Sequence, residues 1–137
     1  MKKTLAWIVT ILALGAFTGC GGRHSAAGFR LPEDGDIELG KAAFIQLECT
    51  RCHTVAGVEL PSPTDVGKPV PLGGRVYEVR TDGYLVTSII HPSHVVTVGE
   101  ESHMPSFARN MTVKQLVDLV AFLQSTYEVV PAPQATP

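Results

Sequence analysis

The most regular apolar spacing in the chain lies near its C-terminal end. From Thr112 to about Thr126, Val113, Leu116, Val117, Val120 and Leu123 line one helical face, and Leu119 and Phe122 widen it. Thr112 followed by Gln115 forms a capping box, with Met111 placed to staple onto Leu116. A helix is also read from Ile37, Gly40, Phe44 and Leu47, which recur at helical spacing with Asp34 or Asp36 as cap. A third, shorter helix begins near Thr81 or Asp82 and uses Tyr84, Leu85, Ile89 and Ile90 as apolar contacts. It must stop by His91 because Pro92 follows. Pro61 to Gly74 is rich in proline and glycine and is expected to be irregular. No alternation is strong enough to argue for a sheet. The expected fold is all-α, with three to four short helices and long loops.

Both ends of the chain depart from this pattern. Met1, Lys2 and Lys3 precede the uncharged apolar run Leu5 to Phe17, and small residues lead into Cys20, which is the layout of a secretory signal peptide. The run is shorter than the roughly 20 residues that span a bilayer, although the uncharged stretch Thr4 to Gly22 keeps an uncleaved anchor as the alternative. Residues 21–35 (GGRHSAAGFRLPEDG) hold no apolar period and read as a flexible tether, and residues 131–137 (PAPQATP) read as a disordered tail. Residues 36–130 remain as one folded domain.

Charge narrows the function classes. The 137 residues carry 11 Lys+Arg and 13 Asp+Glu, and removing Lys2 and Lys3 with the signal leaves 9 against 13, a net charge of −4. Without a basic excess the chain lacks the electrostatic footprint of a nucleic-acid binder. A domain of about 95 residues with so few helices has a thin core, which a buried cofactor would complete. The three cysteines, Cys20, Cys49 and Cys52, cannot all be cleared by internal disulfides.

Cys49-Thr50-Arg51-Cys52-His53 is C-x-x-C-H, the attachment sequence for c-type haem. Its spacing places both sulfurs on one side of a single turn, where they add to the two vinyl groups of the porphyrin, and the adjacent His53 supplies the proximal imidazole. Two other readings compete: a redox-active dithiol, and a zinc site drawn from Cys49, Cys52, His91 and His94. For the opposite side of the iron the candidate is Met104, in a non-helical stretch and held by Pro105. Met111 is already used by the staple, and His103, His91 and His94 are the rival ligands. His24 falls in the tether. The alternative for Met104 is a gap-filler in the core.

The run Gly40 to Phe44, the motif Cys49 to His53, Met104-Pro105 and the helix segment Leu116 to Leu123 together resemble a class I, monohaem cytochrome c over residues 36–130. The resemblance implies a cytochrome c-like fold wrapped around one covalent haem c. It also implies a close crossing of the first and last helices at Gly40, against Phe122 or Tyr127. Glycine allows that approach because it has no Cβ. The family usually has a prolyl carbonyl accepting the haem histidine's N–H. Here Leu72 and Gly74 fit that segment but Val70 stands at the proline position, so the acceptor is left open. Arg75, Tyr77, Arg80 and Tyr84 carry the donors that haem propionates need. Gly19-Cys20 is similar to a bacterial lipoprotein signal. Tyr84, Leu85, Ser88, Ile89, Pro92 and Ser93 are similar to a segment of the cytochrome c domains attached to terminal oxidases and related membrane redox complexes.

These readings imply one-electron transfer by a haem ligated by His53 and Met104, with no catalytic residue of its own. The carrier is expected to be exported to the periplasmic or cell-surface face of a bacterium. It is membrane-anchored through lipid on Cys20 or an uncleaved N-terminal segment, and works between a redox protein donor and acceptor. It is either a free-standing shuttle or the cytochrome subunit of a respiratory or oxidising complex. The alternatives are a haem enzyme or gas sensor with an open or exchangeable sixth site, and an interaction subunit whose haem mainly completes the core.

Overall fold

The computed structural model describes residues 28–65, 69–95 and 104–133. The signal-like segment with Cys20, the first part of the 21–35 stretch with His24, His103, and the end of the tail lie outside the described residues.

Three helices form where the apolar spacing puts them. Helix α1 spans Ile37–Gln46, and of the two candidate caps Asp36 takes the role, its carboxylate accepting the Leu39 N–H at 2.9 Å. Helix α2 spans Asp82–Ile90, with the Thr81 hydroxyl accepting the Tyr84 N–H at 3.2 Å. Helix α3 spans Val113–Ser125 and carries the full capping box. The Gln115 N–H donates to Thr112 Oγ1 at 3.1 Å, and the Thr112 N–H donates to Gln115 Oε1 at 2.9 Å. Met111 and Leu116, the expected staple, both lie half-buried against the core.

α1 crosses α3 at Gly40. A Cβ at this position would stand 2.6 Å from the Asp118 carbonyl carbon and 2.7 Å from Phe122 Cβ, so only glycine lets the two backbones meet. The crossing is therefore with Phe122, while Tyr127 lies beyond α3. One turn further on, Phe44 meets Phe122 edge to face with ring centroids 5.7 Å apart. Around this pair Val55, Leu85, Ile89, Leu119, Val120 and Leu123 complete the buried core. Ile37 and Val113, counted on the apolar faces by spacing alone, are exposed because each sits at a helix start outside the crossing.

Among the described residues, four three-residue strands are present that the hydrophobic pattern does not predict. β1 (His53–Val55) pairs in parallel with β2 (Val70–Leu72), and β3 (Gly74–Val76) pairs in parallel with β4 (Tyr127–Val129). Strands this short contain too few residues to display a two-residue period. The proline- and glycine-rich stretch is thus partly regular, with Gly73 and Gly74 at φ +71° and +79° turning the chain from one pair to the other.

The 21–35 stretch touches the domain before Asp36. Leu31 packs on the core and its N–H donates to Asp82 Oδ2 at 2.8 Å. Gly35 lies so close to α3 that a Cβ there would stand 2.6 Å from Ala121 Cβ. Asp118, with a side chain only 4% exposed, then accepts the Asp36 N–H at 2.8 Å and pairs with Lys114.

Two outcomes follow. Gly40→Ala drives a methyl into the Asp118 backbone, and denaturant unfolding of the haem-loaded protein is expected to show a loss of about 3 kcal/mol. The Asp36 N–H, and after it Lys114, hold the Asp118 carboxyl below the ordinary carboxylate range. Its stabilising contribution is full above the unfolded value near 3.9 and is lost as pH falls through the lower folded value. Unfolding followed from pH 7 downwards should therefore show a shallower acid-induced loss of stability in Asp118→Asn than in the wild type, from a lower starting point.

Candidate haem site

Helix α1 delivers the chain directly into the C-x-x-C-H motif. Glu48 takes the left-handed conformation, φ +59°, which ends the helix, and Cys49–Arg51 then forms a single 3-10 turn. Arg51 fastens this turn. Its guanidinium donates to Glu48 Oε2 at 2.8 Å and pairs with Asp65, while its carbonyl accepts the N–H groups of Thr64 and Asp65, both at 3.1 Å. These ion pairs are exposed and add little stability, so the backbone bonds are what tie the 61–65 loop to the motif.

Cys49 and Cys52 are both half-buried on this one turn. Burial pushes the Cys49 thiol up to about 11, with the neighbouring Cys52 adding to the rise. A redox-active dithiol needs the opposite, a thiol lowered towards neutrality so that thiolate is available. The zinc reading also lacks its geometry. Among the described residues no three His, Cys, Asp or Glu side chains gather to hold a metal. His91 and His94 face each other, with ring centroids 5.7 Å apart, without joining the cysteines.

His53 opens β1 and lies opposite Val70 in the parallel pair. Its Nδ1 sits 3.2 Å from the Val70 carbonyl oxygen, so Nδ1–H donates there and Nε2 keeps its lone pair. Burial holds the ring below the ordinary histidine value against the opposing pull of that carbonyl, which favours the neutral imidazole a metal ion requires. The missing proline is thereby explained, since a backbone carbonyl does not depend on the side chain attached to it. Val70 also adds something proline could not: its N–H donates to the Cys52 carbonyl at 2.9 Å.

Met104 approaches from the loop before α3. It is half-buried and packs on the core, as do Val58, Leu60, Leu72 and Phe107. Two bonds fix the stretch that follows it: the Phe107 N–H donates to the Ile89 carbonyl at 3.3 Å, and the Ser106 hydroxyl donates to the Ile90 carbonyl. His103 lies outside the described residues. Arg75, Tyr77, Arg80 and Tyr84 are all exposed, with the Arg80 guanidinium stacked 4.9 Å above the Tyr84 ring. Spacing did not single out Asp82 or Asp118, which clamp the incoming chain. The available signal was a carboxylate set among apolar neighbours, as in Val117-Asp118-Leu119.

The residues present fit a covalent haem. Two thiols share a turn beside an imidazole whose Nε2 is free for iron, and a ring of half-buried apolar side chains stands around the core. Such a scaffold, helical and mostly looped, with one C-x-x-C-H turn, is that of a monohaem c-type protein. A family model described as Cytochrome c matches residues 37–127. The chain therefore belongs to the cytochrome c family, with haem c as its covalently bound cofactor and haem-based electron transfer as its activity. No curated protein and no solved structure matches it.

Val70→Pro separates the two jobs of this residue. The carbonyl acceptor survives and the donor to Cys52 is lost. The variant should incorporate haem with an unchanged absorption spectrum while unfolding in denaturant about 1 kcal/mol more easily.

Proposed function

We propose that this cytochrome is a one-electron carrier in which Cys49 and Cys52 would form the thioether bonds and His53 and Met104 would bind the iron. The observation that carries this reading is the His53 ring, held through Nδ1 by the Val70 carbonyl with Nε2 left free, in a domain whose Met104 segment is separately fastened to the end of α2. When bound, the haem supplies a reversible one-electron iron couple. The chain's part is to fix the imidazole tautomer, present a thioether in place of an exchangeable site, and surround both with apolar side chains. A thioether opposite an imidazole raises the reduction potential relative to two imidazoles. With both sides filled, the chain has no position for substrate or gas, which is why the carrier reading is preferred to a haem enzyme or sensor.

The same proposal places the protein outside the cytoplasmic membrane of a bacterium, on the periplasmic or cell-surface face, tethered through lipid on Cys20. No helix among the described residues is long and apolar enough to cross a membrane. The similarity of Tyr84 to Ser93 to oxidase-associated domains supports service within, or beside, a membrane redox complex. The acidic mature domain favours a partner surface of basic character.

Spectroscopy of the haem-loaded chain tests the ligand set. The ferric protein should show a sulfur-to-iron charge-transfer band that Met104→Ala abolishes and Met111→Ala retains, with a lower reduction potential in Met104→Ala alone. Prompt carbon monoxide binding to the reduced wild type would instead establish an open sixth site and overturn the carrier reading.

A further inference from the structure

The incoming chain is sewn to one particular corner of the domain. Leu31 donates its N–H to Asp82 at the start of α2, and the other oxygen of the same carboxylate accepts Gln124 Nε2 at 2.7 Å near the end of α3. Gly35 then lies against Ala121 and Val117, and Asp36 reaches Asp118. Residues 31–36 therefore run back along α3 from its C-terminal end, and the chain arrives beside Asp82 and Gln124. From Cys20 to Leu31 is eleven residues, which span at most about 40 Å whatever their conformation. A domain of this size is roughly 32 Å across. The corner where the chain arrives reaches a surface at Cys20 with chain to spare, whereas the far side reaches it only if nearly the whole segment is drawn out around the domain.

That corner exposes apolar and aromatic side chains. Tyr77 and Val129 are 62% and 60% exposed, Val79 and Tyr84 are 38% and 39% exposed, Arg75 lies on β3, and Arg80 stacks on the Tyr84 ring. Tyrosines with an apolar body and a polar tip settle at the depth of lipid headgroups, and guanidinium groups pair with phosphate. Glu78, Glu128 and Asp82 outnumber the two arginines by one, and Glu33 balances Arg30 on the incoming chain. The contact is therefore carried by the aromatic and apolar side chains rather than by charge.

We infer that the face built from the start of α2 and the β3–β4 pair rests on the lipid surface to which the chain is tethered, through Tyr77, Val79, Tyr84 and Val129. The inference rests on the proposed anchoring of Cys20. The tether then fixes which side of the cytochrome faces lipid, in addition to keeping it near the membrane.

The test uses the full haem-loaded chain on vesicles of phosphatidylcholine and phosphatidylglycerol, acetylated with N-acetylimidazole and read peptide by peptide by mass. The Cys20→Ser chain in solution is the reference. Tyr77 should be modified at least fivefold less on vesicles. Lys114, about 15 Å from Gln124 along α3, should react equally in both. Combining Tyr77→Ser with Val129→Ser, both at exposed positions, should leave the protein on the vesicles but return Tyr84 to its solution reactivity. If the intact mass shows lipid on Cys20 and Tyr77 reacts undiminished, or Lys114 is shielded instead, the orientation is wrong and the anchor stands. An unmodified Cys20 in the intact mass overturns the lipid anchor, and the inference that rests on it.

Discussion

The structure depends on the contact at Gly40. Two helices joined by about seventy residues of intervening chain meet there at backbone distance, and the Phe44–Phe122 pair, the Asp36–Asp118 bond and the Leu119–Val120 core all exist because of that approach. α1 is too short to be stable in water by itself. Its stability comes from α3, and the motif that begins three residues after α1 inherits its position from the same contact. The Cys49–His53 turn is thus held by the fold's principal crossing, although it takes no part in it.

The chemistry was legible in the sequence to the extent that it is local. Cys49, Cys52 and His53 lie within five consecutive residues, and their spacing alone puts both sulfurs on one turn with the imidazole next to it. The helix caps at Thr81 and Thr112 were equally legible, because capping is a matter of residues three positions apart. Met104 is a different case, since its reading draws on a proline beside it and a helix after it rather than on any neighbour it must touch. The structure adds that its segment is fastened and half-buried.

What escaped the sequence has one physical origin, which is that backbone groups carry no residue signature. The acceptor for His53 is a carbonyl, and any residue at position 70 would offer it. β1 to β4 are runs of backbone donors and acceptors too short to impose a pattern on their side chains. Leu31 and Gly35 are single residues in a polar stretch, and their contacts appear only once α3 is in place. The Asp82 and Asp118 carboxylates are the partial exception, because each accepts a backbone N–H from the incoming segment and Asp118 stands among apolar neighbours in the sequence.

The two sides of the site are anchored by the same device, and Pro92 explains why it works on the Met104 side. A helix leaves its last carbonyls without intrahelical donors. In α2 those of Ile89 and Ile90 would next be met by the N–H groups of residues 93 and 94, but Pro92 stops the helix and the His94 N–H turns back to His91. The two freed carbonyls are the ones that accept from Phe107 and Ser106. A proline that reads only as a stop signal therefore creates the attachment points for the loop carrying Met104, as the Val70 carbonyl does for His53. Both candidate ligands are then held by the main chain of the element next to them. An electron carrier needs this rigidity, because ligands that do not move between oxidation states keep the cost of reorganisation low.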